Sequence, residues 1–166
     1  DATTARETRG AAHFITTNVT DAGTSGTHAA VVEADILAVA ESTWNAGGEP
    51  STILLGATNK KLVTAMSGRA DAIRSVADGN TTIQNAVDVY VSDFGTFNIM
   101  LDRFCDQDVV YFLDHDMWSV DYLRDFQTVD IARAGDGEKK MLVVEYGLRC
   151  GNEKANGQIR YTTGVT

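Results

Sequence analysis

Beyond a polar stretch from Arg69 to Thr82, the spacing of apolar residues changes from the three or four of a helix to the two of a strand. Side chains alternate across a strand and recur every ~3.6 residues on a helix, so a chain that uses both periods must combine helices with sheet. Val87, Val89 and Val91 alternate with Asp88, Tyr90 and Ser92. After a turn at Asp93 to Gly95, Phe97, Ile99 and Leu101 alternate with Asn98 and Asp102, which predicts a hairpin. Val109 to Leu113 reads as a continuous buried strand. Trp118, Val120 and Tyr122 alternate again, and a strand near Gln127 to Ile131 runs into the turn Gly135-Asp136-Gly137. The last long strand is the clearest, with Leu142, Val144, Tyr146, Leu148 and Cys150 on one face and Glu145 and Arg149 on the other. A polar loop from Gly151 to Gly157 and a short strand from Ile159 to Thr163 follow.

The helical period lies earlier. Residues Asp1 to Gly26 are rich in Thr, Ala, Asn and Gly and read as loop apart from one turn of helix at Ala11 to Ile15. From Val32 to Ala46, Ile36, Val39, Ala40, Thr43 and Trp44 form the inner face of an amphipathic helix, stopped by Gly47 and Gly48. The lone proline, Pro50, falls in the following turn, and Thr52 to Leu55 reads as a short buried strand ended by Gly56. Thr58 is the expected N-cap of a second helix, with Leu62, Val63 and Met66 inward and Gly68 at its stop. The fold class is therefore α+β, in one or two small domains, with 43% apolar residues among 166 to supply a core. There is no internal repeat.

A formal net charge of -9 opposes binding driven by phosphate neutralisation over the surface as a whole. The apolar runs are far shorter than the roughly 20 residues a membrane helix needs, so a soluble chain is expected. Cys105 and Cys150 are too few for a disulfide framework and read as two half-buried thiols of a reducing cytoplasm. The chain opens on Asp1 without an initiator Met or a secretory leader, as a processed or partial polypeptide would.

Chemistry-bearing motifs are weak. Gly56-Ala57-Thr58-Asn59-Lys60-Lys61 lies between strand and helix but lacks the glycines that let backbone amides converge on a phosphate. Asp114-His115-Asp116, preceded by Asp102, Asp106 and Asp108, offers metal-ligand types, yet adjacent strand residues point to opposite faces and the calcium-loop spacing is missing. His13, His28 and His115 are scattered. Asp88, Asp93, Asp121 and Asp125 are carboxylates of the kind acid–base chemistry uses, but they read as polar strand faces. The aromatic residues Phe97, Phe104, Tyr111, Phe112, Trp118 and Tyr122 are interleaved with Asp instead of Lys or Arg, which favours core packing or subunit contact over base stacking. No catalytic, cofactor-binding or metal residues are assigned, and no enzyme is expected.

The segments DATTARETRG, WNAGGEPSTILLG, DVYVSDFGTF, FLDHDMWSVDYLR and GDGEKKMLVVEYGLRCGNEKANG carry a resemblance spread from about Thr3 to Ile159. Together they resemble tailed-bacteriophage major capsid proteins of the HK97-like fold, the group of the phage SU10 major head protein. The resemblance implies an axial α/β domain and a peripheral strand-rich domain. It places a loop-rich opening segment at 1–26, mainly axial elements at 27–104, and strand-rich elements returning to the peripheral domain at 105–166. The arm, extended loop and spine helix that precede such a stretch are missing from this chain. His115 to Met117 departs from the turn with Pro and Glu expected there, so no role passes to His115. The implied function is structural: a homo-oligomer of hexamers and pentamers forming a virion head around DNA without sequence-specific binding. Portal, scaffolding or decoration proteins are the implied further partners, with assembly in the host cytoplasm and no membrane. Two rivals are a nanocompartment shell holding cargo enzymes and a small α/β enzyme using Asp carboxylates.

Overall fold

The structure, a computed structural model, describes residues 8–66, 76–77, 80–81, 88–132 and 135–162. The expected stop at Gly68, the alternation at Val87, the end of the last strand at Thr163 and most of the polar stretch 69–82 lie outside the described residues.

The elements run α1 (Ala11–Phe14), β1 (Val19–Asp21), α2 (Glu33–Asn45), β2 (Thr52–Leu55), α3 (Ala57–Ala65), the two-residue pair β3 (Val76–Ala77) and β4 (Asn80–Thr81), β5 (Val89–Ser92), β6 (Gly95–Leu101), β7 (Val109–Leu113), β8 (Trp118–Ile131), β9 (Lys139–Cys150) and β10 (Gly157–Arg160). Helices and strands are mixed, as the two periods require. A six-stranded sheet has the order β1-β10-β7-β2-β6-β5, and among the described residues β8 pairs only with β9.

Register explains which face of the sheet is apolar. Ile53 lies opposite both Phe112 and Ile99, Leu55 opposite Val110, and Val110 opposite Ile159. Residues directly opposite share a face, so these side chains form one apolar layer. Val31, Ile36, Val39 and Ala40 from α2 and its approach, with Val63 from α3, complete that cluster. Each such buried side chain contributes about 1.5–3 kcal/mol relative to exposure. Gly157 lets α2 come this close, because a Cβ there would stand 2.5 Å from Val39 Cγ1.

Helix α2 ends as Gly47 and Gly48 lead one to expect. Gly47 has φ +81°, its N–H donates to Trp44 O, and the Gly48 N–H donates to Thr43 O, a left-handed closure glycine adopts without strain. Trp44, however, is exposed, not part of the inner face. Helix α3 corrects a second expectation: Gly56, not Thr58, occupies the N-cap, without a side-chain cap of its own. The Thr58 N–H instead donates to Gln107 Oε1 from 49 residues away.

The hairpin of β5 and β6 forms, but Val89 and Val91 face solvent. Tyr90 pairs with Phe97, so the register sends Tyr90 and not the valines toward the core. The opening segment also holds more structure than a loop. Ile15 and Asn18 are buried, and β1 forms a parallel edge strand against β10.

Candidate assembly surface

The strands β8 and β9, fourteen and twelve residues long, form an antiparallel ribbon. At about 3.3 Å per residue the longer strand extends roughly 45 Å. Its apolar side chains are largely exposed, among them Val120, Tyr122, Leu123, Phe126, Val129, Ile131, Met141, Leu142 and Tyr146. An isolated two-stranded hairpin is marginal in water, so a ribbon with this surface is completed by contacts beyond itself.

The strand pairing shows how those side chains are distributed. Trp118, Val120 and Tyr122 pair with Cys150, Leu148 and Tyr146, the face anticipated from β9. Two register shifts, between Tyr122 and Arg124 and between Arg124 and Gln127, insert extra residues into β8. Beyond them Val129 pairs with Met141, on the face opposite Tyr146. The outer half therefore presents apolar groups on both faces. Exposed ion pairs Arg149–Asp121, Arg124–Glu145 and Lys140–Asp130, at 3.5, 3.5 and 3.8 Å, border them. Such pairs are worth under about 1 kcal/mol each and serve register more than stability.

Asn156 is the main polar tie at the base of the ribbon. Asn156, fully buried, accepts through Oδ1 from the Asp114 backbone N–H at 2.9 Å and from Trp118 Nε1 at 2.8 Å. Its Nδ2 donates to Asn152 O at 3.0 Å. Gly151 N–H donates to Met117 O at 2.7 Å, closing the ribbon's neck. Beside it, Phe14 of α1 meets Trp118 edge-on with ring centres 6.0 Å apart. A groove of about 870 Å³ opens between α1 and the ribbon, lined by Phe14, Leu123, Val144, Tyr146 and Leu148.

At the opposite end of the sheet, the loop Asp102 to Asp108 joins β6 to β7. Phe104 at its tip is 90% exposed, next to exposed Met100 and Leu101. Below it lies a groove lined by Leu54, Cys105, Tyr111 and Leu113. Burial, then the nearby Asp102 and Asp106 carboxylates, push the Cys105 thiol up to about 11. Burial and the same acidic neighbourhood push Tyr111 up to about 12, so both groups are neutral at ordinary pH.

The residues singled out for chemistry do not converge. Asp114 accepts from the Asp116 N–H and caps a short 3-10 helix, while His115 Nε2 lies 3.0 Å from Thr52 Oγ1. His13 contacts Arg9, and His28 Nδ1 lies 3.1 Å from Thr162 O. Asp88 pairs with Lys60, Asp121 with Arg149, and Asp125 accepts from the Phe126 N–H. Asp93 sits in the β5–β6 turn. Among the described residues, no three His, Cys, Asp or Glu side chains come together as a metal site would require. The Gly56 segment is filled by the Gln107 carboxamide, within 3 Å of where a Cβ on Gly56 would stand. The aromatic residues divide: Phe97 and Phe112 are core, Trp118 is neck, and Phe104 and Tyr122 are surface. Cys105 and Cys150 are both free thiols. No helix among the described residues is long and apolar enough to cross a membrane.

A packed sheet domain that exposes apolar groups along its ribbon, at its Phe104 loop and on its edge strand β5 has the surface of a subunit in a larger assembly. The chain belongs to the SU10 major capsid protein family, whose model matches residues 1–166. It is 27% identical over 134 residues to the major capsid protein of Escherichia phage Phieco32, covering 80% of this chain and 38% of that protein. The chain thus spans well under half the length of this relative. Among solved structures, a virus-like particle from Pyrococcus furiosus aligns with a TM-score of 0.44 at 12% identity, covering 87% of this chain and 56% of that one.

Proposed function

We propose that this chain is the shell-forming part of a tailed-phage major capsid subunit with an HK97-like fold. In this reading the six-stranded sheet with α2 and α3 is the core of the axial domain, and the ribbon within 105–166 reaches into the peripheral domain. Identical copies join as hexamers and pentamers into a virion head assembled in the host cytoplasm. The shell encloses DNA without sequence-specific binding, and portal, scaffolding or decoration proteins attach to it. The family match along all 166 residues carries the reading, supported by the exposed apolar faces of β8 and β9. The net charge of -9 suits a wall that confines DNA without gripping it. No step of this role requires a catalytic group. The mechanism is repetition: closed symmetry multiplies modest pairwise contacts into a stable shell.

Electron microscopy of the full polypeptide expressed with its assembly partners tests this. Icosahedral or prolate shells containing nuclease-protected DNA are expected. Shells holding cargo protein without DNA would favour a nanocompartment, and a monomer at high concentration would end the shell reading altogether.

A further inference from the structure

We propose that the Asp102–Asp108 loop of one copy docks, through Phe104, on helix α3 of the next copy. This deepens the shell-subunit reading and rests on it.

The loop is preorganised. The Phe104 N–H donates to Asp102 Oδ1 at 3.0 Å, Cys105 is buried, and Gln107 O accepts from Asn59 Nδ2 at 2.9 Å. Phe104 is nonetheless 90% exposed, at the rim of a mixed groove that Leu54, Tyr111 and Leu113 line together with Asp102, Arg103, Asp106 and Gln107. A ring held out of contact on an anchored loop loses little conformational freedom on binding, which is what an interface anchor requires. Asp102, Asp106 and Asp108 flank it, against one cation in the segment, Arg103.

Helix α3 starts at the same end of the domain, since Gln107 also contacts Thr58. Ala57, Lys61 and Ala65 are its exposed positions, spaced four apart and so on one helical face. That face is a flat alanine strip with a lysine at its centre. A ring can lie on the strip, and the ammonium group then meets both the ring and the loop carboxylates. Lys60 adds a second positive charge beside it, shared with Asp88 at 3.2 Å.

A like-with-like contact would set the acidic loop against itself. The ribbon tip is a poorer acceptor, because Lys139 and Lys140 are offset by Asp130, Asp136 and Glu138. Two different patches of opposite sign on one chain make a heterologous contact, which passes from copy to copy and can close as a ring.

The test uses the full capsid polypeptide, with shell yield read by light scattering and microscopy. Phe104→Ala and Lys61→Glu should each lower the yield at least tenfold while leaving the circular dichroism unchanged. Pairing Lys61→Glu with Asp106→Lys should restore it. Independently, Arg103→Cys combined with Lys61→Cys should give a covalent ladder of subunits when preformed shells are oxidised, and neither single variant should. Normal yields from Phe104→Ala and Lys61→Glu, or no ladder in intact shells, overturn the contact and leave the shell reading standing. So does Arg103→Cys cross-linking to Lys140→Cys instead. Failure of the unsubstituted polypeptide to form shells removes both.

Discussion

Asn156 joins the sheet, the ribbon neck and the polar loop before β10 through a single carboxamide. Replacing it with Ala takes the acceptor from the half-buried Asp114 N–H and Trp118 Nε1. Each buried donor left unsatisfied costs about 1–3 kcal/mol, so Asn156→Ala should destabilise the domain by roughly 2–4 kcal/mol. Urea unfolding followed by tryptophan fluorescence would measure this, and an unchanged midpoint would show that the neck is held otherwise. Glu153 makes a second long-range tie. The Thr17 hydroxyl donates to its carboxylate, as do the Thr16 hydroxyl and the Thr16 and Thr17 backbone N–H groups. These bonds, the Thr17 hydroxyl first, hold the Glu153 carboxyl below its usual range. A depressed folded pKa adds stability above the unfolded value, about 4.3 for Glu, and that stability is lost as pH falls through the folded value. Glu153→Gln should therefore flatten the fall in melting temperature between about pH 5 and pH 3. An unaltered slope would place the acid sensitivity at other carboxylates. At this scale the sequence was least legible. Asn18, Asn59, Asn156 and Gln158 are buried, yet polar residues in polar stretches carry no local sign that distant backbone groups will claim them.

Among the elements, α2 and β2 follow directly from local pattern, because an amphipathic helix and a short apolar strand each need only one buried face. Gly157 shows what such patterns omit. It reads as the end of a polar loop, but it begins β10, flanked by β1 and β7, and lies directly under α2. Gly157→Ala would drive a methyl group into Val39 Cγ1 and toward Thr43 Oγ1, and should cost about 1–3 kcal/mol by overpacking. Thermal unfolding would register the loss, and a stability equal to the parent would mean that α2 can move away freely. The ribbon teaches a related lesson. Alternation in β9 is intact, and its face was anticipated, but the two shifts in β8 cannot be seen in a period-two count. Together they displace β8 by two residues along β9, so that Val129 meets Met141, while Val129 and Ile131 keep the face opposite Val120 and Tyr122.

For the whole molecule, the decisive property is the distribution of apolar surface between one buried layer and the exposed ribbon, Phe104 loop and edge strand β5. Association that buries the ribbon and the Phe104 loop is driven largely by release of water, and that driving force weakens on cooling. Shell formation by the full polypeptide should therefore be stronger at about 30 °C than at about 4 °C in light scattering at fixed concentration. Dissociation on warming would assign the contacts to polar groups. The sequence by itself determined the α+β class, the principal helix, the central strands, the long terminal strand and the family resemblance, since all of these are carried by local periodicity or by runs of adjacent residues. Only the tertiary structure decided that Val89 and Val91 face water, that Gln107 caps α3, that Asn156 holds the ribbon neck and that Phe104 stands exposed. The first three depend on pairing register or on hydrogen bonds between residues far apart in the chain, and the last on which elements the fold brings beside the loop, none of which leaves a mark on the neighbouring sequence.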